Sequence, residues 1–278
     1  TTSTTEDIDA AELNIFSRLY HSFEIESDLK HLKIQYRMPT CHRQLISKLF
    51  YQDELRDGLP HSGSGQFAHA VVGNLPAISW VDMPWCGRDH PRWREDASTP
   101  YTNAKEVEAV IKLLRSLCLA DTGHGRKPSL AVLSPYKRQV SCINDKVAGD
   151  IRLCNRLADE FEIVLPDGGQ KGTEIASTVD AFQGHEAELV ILSLVRNNDA
   201  RDHEIEEFAA GFLNQAERMN VALSRAKKAM IIVGSWDFFF HRCRHTSSPW
   251  PDLQAALEQM PPEEFQRFDR RQLQGHDA

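Results

Sequence analysis

STVDAFQGHEAELVILSLVR, residues 177–196, holds two unlike halves. The second half, ELVILSLV at 188–195, is a nearly unbroken apolar run. A strand with one wet face alternates apolar and polar side chains. An unbroken run therefore marks a strand covered on both faces, as in a parallel sheet between two helix layers. The first half is polar, turns on Gly184, and sets Asp180, Gln183 and Glu186 just ahead of that strand.

The same rhythm extends outward. AMIIVGS at 229–235 reads as a second buried strand, and SLAVLSP at 129–135 as a third. AISWVDM at 77–83 alternates and reads as a strand. Shorter strands are expected at 31–36, 161–166 and 174–179, the last two flanking a Gly-rich loop at 167–172. Amphipathic spacing predicts helices at 11–21, 40–50, 103–119, 136–147, 213–228 and 251–259, with Thr102 or Asn103 capping the third. Buried strands alternating with such helices mean an α/β fold around a largely parallel sheet. Three regions follow: a polar tail with a lead-in helix at 1–27, one domain at 28–245, and a helix with a polar tail at 246–278. The last 18 residues are expected to be mobile, and 57–70 and 84–100 are expected to be loops, with Trp85 and Trp93 as staples in the second.

Bulk properties narrow the function. The chain has 278 residues, 41% hydrophobic and 26% charged, with a formal charge of -8. That balance argues against a wholly basic nucleic-acid coat protein, but a local basic groove survives it, because steering depends on where charge sits. Six cysteines form no CxxC pair and read as reduced thiols of an intracellular protein. His241, Cys243 and His245 match no zinc spacing, so no metal site is expected. No apolar run reaches the roughly 18 residues of a membrane span. The chain opens on Thr1 rather than methionine, and is expected to be a piece of a longer protein.

Ligands of open parallel sheets bind at the carboxyl ends of strands. By that rule the candidate positions are Tyr36, Arg37 and Met38 after the first strand, Ser134 to Arg138 after the third, and Asp180 to Glu186 after the strand at 174–179. The helix at 213–228 adds Arg218 and Arg225 on one stripe. Arginines, an aromatic, small hydroxyls and a Gly-bearing turn suit a nucleotide or a polyanion, since guanidinium forks fit phosphate oxygens.

These blocks carry a resemblance. QYRM at 35–38, SPYKRQ at 134–139, STVDAFQGHEAELVILSLVR at 177–196 and ERMNVALSRAKKAMIIVG at 217–234 resemble, in identity, order and approximate spacing, conserved blocks of superfamily 1 helicases. The group concerned contains the nonsense-mediated-decay RNA helicase and senataxin, and the blocks cover most of 28–235. The resemblance implies the second, C-terminal RecA-like domain of a two-domain motor: a three-layer α/β/α P-loop NTPase fold without the P-loop itself. It implies that Tyr36 stacks on adenine and that Arg37 and Arg225 are arginine fingers reaching the γ-phosphate of ATP. Gln183 and Gly184 would shape a turn from which Glu186 contacts the ribose or the γ-phosphate edge. Ser134, Pro135, Tyr136, Ser177, Thr178 and Asp180 would lie on or beside the surface for single-stranded RNA or DNA, gripping backbone rather than reading bases. Plainer roles stand beside these: Glu186 pairing with Arg218, and Asp180 fixing the loop.

One thing is missing. GxxxxGK followed by Ser or Thr, the loop that cradles phosphates, does not occur, nor does a buried strand ending in the Asp-Glu that holds magnesium. In the family both lie upstream, in the first RecA-like domain. The expected chain is thus a helicase half that uses ATP and Mg2+ only with its upstream partner domain, sits in nucleus or cytoplasm, spans no membrane, and is a monomer. The alternative is a non-catalytic, helicase-like binding module. In the half-motor, Arg37 is expected either to face solvent unpaired or to borrow a nearby acid such as Glu186.

Overall fold

A computed structural model describes residues 32–58, 67–70, 73–87, 91–96, 101–119, 126–166, 172–198, 210–243 and 249–273. The expected helix at 11–21 and most of the Gly-rich loop at 167–172 lie outside them. The described residues from Ile34 onward belong to one unit.

In chain order its elements begin with strand β1 (Ile34–Gln35), helix α1 (Thr40–Phe50), and strands β2 (Arg56–Asp57), β3 (Phe67–His69), β4 (Gly73–Asn74) and β5 (Ile78–Asp82). Helix α2 (Ala104–Ser116), strands β6 (Leu117–Leu119) and β7 (Ser129–Ser134), and helices α3 (Lys137–Ala148) and α4 (Ile151–Glu160) follow. Strands β8 (Glu162–Ile163), β9 (Ala176–Thr178) and β10 (Ala187–Ser193), helix α5 (Ala216–Leu223), strand β11 (Ala226–Gly234), helix α6 (Trp250–Glu258) and strand β12 (Phe265–Asp269) complete the unit.

The apolar run at 188–195 supplies β10, every residue of which is buried. It pairs in parallel with β11 on one side and β7 on the other. The seven-stranded sheet runs β12-β5-β11-β10-β7, and β8 and β9 both pair with β7 in parallel. Side chains leave it with period two, and the two faces build two separate cores. Leu189 and Ile191 join Leu130, Val132, Ile231 and Val233 under α2, α3 and α4. Val190 and Leu192 join Leu133, Ile232 and Trp80 under α1, α5 and α6. This is the expected RecA-like three-layer α/β/α arrangement. Each of these fully buried aliphatic side chains contributes roughly 1.5–3 kcal/mol.

Helix α2 starts where Asn103 caps it, the side chain accepting from the amides of Lys105 and Glu106 at 3.1 Å each. It stops at Ser116, earlier than the apolar pattern suggests, because Leu117–Leu119 leave as β6 and pair antiparallel with β3. Helix α4 has no counterpart in the sequence reading. Beyond 245 the chain is more than a tail. Helix α6 packs Trp250, Leu253 and Leu257 into the core, and β12 pairs with β5 along its length. That edge strand is guarded by Arg267, which bonds Asp82 at 2.5 Å and lies 5.0 Å over the Trp236 ring. Trp85 and Trp93 act as staples: Trp85 donates to the Asn198 carbonyl at 2.9 Å, and buried Trp93 lies beneath Arg270. Among the described residues no helix is long and apolar enough to cross a membrane.

Candidate functional site

QYRM does not end a strand of the main sheet. Its strand β1 is two residues long and pairs with β2 in a separate ladder. What shapes the motif is Gln35, whose Oε1 accepts the amides of both Arg37 and Met38 at 2.7 Å. Its Nε2 donates to the Met38 carbonyl at 3.0 Å and to Asp57 Oδ1 at 2.5 Å. One amide side chain thereby ties the backbone into a knot, a local pattern that competes with regular structure. Met38 is driven into the core, 4% exposed, while Tyr36 points out, 63% exposed. The Tyr36 ring lies against Gly58, where a Cβ would come within 2.1 Å of a ring carbon. Only glycine leaves that room.

Arg37 turns sideways. Its Nε donates to Glu186 Oε2 at 2.6 Å and its Nη1 to the Ser224 carbonyl at 3.0 Å. Of the two expected states, the structure holds the one in which Arg37 borrows Glu186. The other carboxylate oxygen, Oε1, faces Lys227 Nζ at 2.9 Å. Burial pushes the Glu186 carboxyl up, but hydrogen bonds from Lys227 and Arg37 outweigh it and leave the group below its ordinary pKa. Arg218 is exposed and does not supply this pairing.

Arg225 sits beside the pair but not on a helix. The helical stripe expected to carry Arg218 and Arg225 breaks, because α5 ends at Leu223 with Ser224 as its C-cap. Strand β11 starts at Ala226, paired with Ala187. Arg225 occupies the single residue between cap and strand. Its guanidinium donates to the Val221 carbonyl at 2.8 Å, to Ser224 Oγ at 3.1 Å and to the His185 carbonyl at 3.4 Å. Among the described residues its partners are thus neutral oxygens. Burial, with the nearby charge of Arg37, lowers it to about 10.

The turn that delivers Glu186 is anchored by Phe182, fully buried in the core. Thr178 Oγ1 accepts the Ala181 amide at 3.2 Å, and the Asp180 carbonyl accepts the Gln183 amide at 3.2 Å. Gly184 has φ +90°, a left-handed conformation that a side chain would strain. Gln183 and Gly184 are exposed and shape the turn.

The second set of expected residues lies elsewhere. Ser134 ends β7 and is paired in register with Thr178, which ends β9. These are carboxyl ends, whereas Glu186 precedes β10 and Arg225 precedes β11, at amino ends. The expectation that all candidates gather at carboxyl ends is therefore corrected. The turn at 179–186 carries the chain back across the sheet, so its first and last residues face opposite edges. At the carboxyl edge Ser134 and Pro135 are buried and Ser177 is 8% exposed, so their side chains cannot form an outer surface. They shape the edge from within. Asp180 is exposed, and Thr178 and Tyr136 are half-buried. Gln35 and Lys227 were missed by the sequence reading. For Lys227 the signal was available, since it stands two positions after Arg225 in SRAKKA, the repeat of a strand face.

The sequence profile of the AAA_12 family, described as an AAA domain, matches residues 11–237. The chain is 28% identical over 260 residues to a protein called putative helicase MOV-10 from Gallus gallus, covering 82% of this chain and 24% of that protein. It is 30% identical to a regulator of nonsense transcripts 1 homolog from Neurospora crassa, covering 73% of this chain and 16% of the relative. It is 27% identical to the putative ATP-dependent RNA helicase ECM32 of Saccharomyces cerevisiae, covering 92% and 23%. The chain thus spans about a quarter or less of the length of these curated relatives.

Proposed function

We propose that this chain, which belongs to the AAA_12 family and is the C-terminal region of a superfamily 1 helicase, works as one wall of an ATP site in a nucleic-acid motor. The observation that carries the reading is the convergence of Arg37 and Lys227 on one carboxylate, 2.6 and 2.9 Å from Glu186, with Arg225 beside them. A cluster of cations gathered around one carboxylate fits the phosphates of ATP. Arg37 and Arg225 offer fixed forks for oxygens that gain charge during phosphoryl transfer. Tyr36, outward on Gly58, offers a flat ring to the adenine.

ATP supplies the phosphoryl group, and the protein's task on this side of the cleft is to hold and neutralise charge. The residues that would bind Mg2+ and cradle the β-phosphate belong to the upstream RecA-like domain. Thr178, Asp180 and Tyr136, on the far edge of the sheet, form part of the track for single-stranded RNA or DNA. The two edges are joined by the turn at 179–186, through which nucleotide state and strand grip can communicate.

The test is turnover. This chain alone, with single-stranded RNA, is expected to release no phosphate from ATP. Supplied with its upstream domain, it is expected to support ATPase activity stimulated by single strands and abolished by Arg225→Ala. Robust turnover by the chain alone would overturn the half-motor reading.

A further inference from the structure

Two residues at the carboxyl edge of the sheet hold left-handed backbone that neither side chain favours: Tyr101 at φ +68° and Val195 at φ +72°. A β-branched residue there is strained, and such strain persists only where neighbours over-determine it. Here they do. The Val195 amide donates to Glu106 Oε2 at 2.8 Å, and the Val195 carbonyl accepts Asn103 Nδ2 at 3.2 Å. Gln139 accepts the Asn103 amide at 2.9 Å and donates to Ser193 Oγ at 3.0 Å. Ser193 in turn donates to Glu106 at 2.7 Å. Asn103, Glu106, Gln139 and Ser193 are all essentially buried.

That buried polar frame presents something on the surface. Tyr101, two residues before the Asn103 cap, stacks on Tyr136 with ring centroids 4.7 Å apart and planes 10° from parallel. Arg196, next after strained Val195, brings its guanidinium to 5.3 Å from the Tyr101 ring centre and pairs with Glu95 at 3.2 Å. Gly211, at φ +55°, leaves room for the Tyr136 hydroxyl, which a Cβ would approach to 2.7 Å. Tyr101 remains 46% exposed. The Tyr101 ring is thus held by a stacked neighbour while close to half of its surface stays open to solvent.

We propose that the Tyr101–Tyr136 stack, with Arg196, is a nucleobase-stacking platform for a single-stranded nucleic acid. It adds base stacking to a surface otherwise read as gripping backbone alone, and it rests on the single-strand reading above. Tyr136 leads away from Ser134, whose register partner is Thr178, so the platform continues the same edge. A ring already held in place loses little freedom when a base lands on it, and stacking tolerates every base because each has a π-face.

The test uses fluorescence anisotropy of this chain with a labelled 12-residue oligouridylate and with an abasic oligomer of equal length. Tyr101→Ala is expected to weaken oligouridylate binding about fivefold or more, the range for losing one stacked base. Tyr101→Phe, which keeps the ring, is expected to bind as wild type, and the abasic oligomer to be indifferent to both changes. Thermal melting of both variants separates loss of the platform from loss of the fold. Oligouridylate binding unaffected by Tyr101→Ala, or an equal loss on the abasic oligomer, would overturn the platform while leaving the single-strand reading intact. No binding of either oligomer by the wild-type chain would overturn both.

Discussion

Arg37 donates from Nε to Glu186 Oε2 at 2.6 Å, so the guanidinium that the family resemblance assigns to a phosphate is held by a carboxylate of its own chain. Lys227 completes the cage at 2.9 Å. A phosphate group entering this seat must displace or share a charge already present. Glu186→Gln keeps a polar group of the same size and removes that charge. Inorganic pyrophosphate is expected to bind the variant about fivefold more tightly, since a unit charge at contact in high dielectric is worth roughly 1 kcal/mol. Isothermal titration reads this directly, and equal affinity in both proteins would rule out the seat. Stability should change by under about 1 kcal/mol, because the pair is about a third exposed.

Arg225 is positioned by three neutral oxygens rather than by an acid. Its charge is therefore left over for a ligand. In the motor with its upstream domain, Arg225→Lys is expected to lower kcat by roughly a thousandfold, the usual range for a lost finger. An ammonium cannot reproduce the fork that reaches the Val221 carbonyl and Ser224 Oγ together. Single-strand affinity, which the proposed function assigns to the other edge of the sheet, should stay within about twofold. Retention of wild-type kcat by the lysine variant would show that Arg225 is only a turn-fixing residue.

Gly58 offers a way to move Tyr36 without changing it. A Cβ at Gly58 would lie 2.1 to 2.7 Å from three ring carbons, so the ring must swing away. Because Tyr36 is 63% exposed, the swing costs little. Gly58→Ala is expected to leave the melting temperature nearly unchanged and to weaken binding of a fluorescent adenine nucleotide as much as Tyr36→Ala does. A large loss from Tyr36→Ala with none from Gly58→Ala would mean that the ring's resting place is irrelevant.

Much of this was legible in the residues, for physical reasons that can be named. A strand covered on both faces must be apolar throughout, so β10 and β11 announced the parallel sheet, and helix periodicity announced the layers. Asn103 announced its helix by its capping chemistry. Other elements depend on partners distant in sequence. FQRFD at 265–269 is too polar to read as a strand until β5 supplies its ladder. Arg225 and Lys227 are good helix formers that prolong the pattern of α5, yet pairing with β10 at Ala187 claims them for a strand. The split of the candidate residues between two sheet edges was illegible for the same reason, since it depends on where the turn at 179–186 lands. The pairing of Arg37 with Glu186 was anticipated as an option because opposite charges in one site attract whatever the topology.

Glu106 gives the frame behind Tyr101 a pH signature. Its carboxyl is fully buried, and desolvation raises it to about 8 despite hydrogen bonds from the Val195 amide and the Ser193 hydroxyl. The nearby charge of Glu95 pushes it further in the same direction, although Arg196 pairs with Glu95. Its Oε1 has no hydrogen-bond partner among the described residues, so an ionised form would leave a lone pair unsolvated. An acid whose pKa is higher in the folded state binds more protons folded than unfolded. Stability is then greatest below the unfolded value, near 4.5, and falls as pH rises toward about 8. The slope from this one group is at most about 1.4 kcal/mol per pH unit. Glu106→Gln cannot ionise, so it should flatten the curve. Melting temperatures of both proteins from pH 5.5 to 8.5 test this. The wild type is expected to lose stability relative to the glutamine variant as pH rises, and parallel curves would show that Glu106 stays charged throughout. A wild-type loss that comes with weaker oligouridylate binding, against steady binding by the variant, would tie the buried frame to the surface it holds in place.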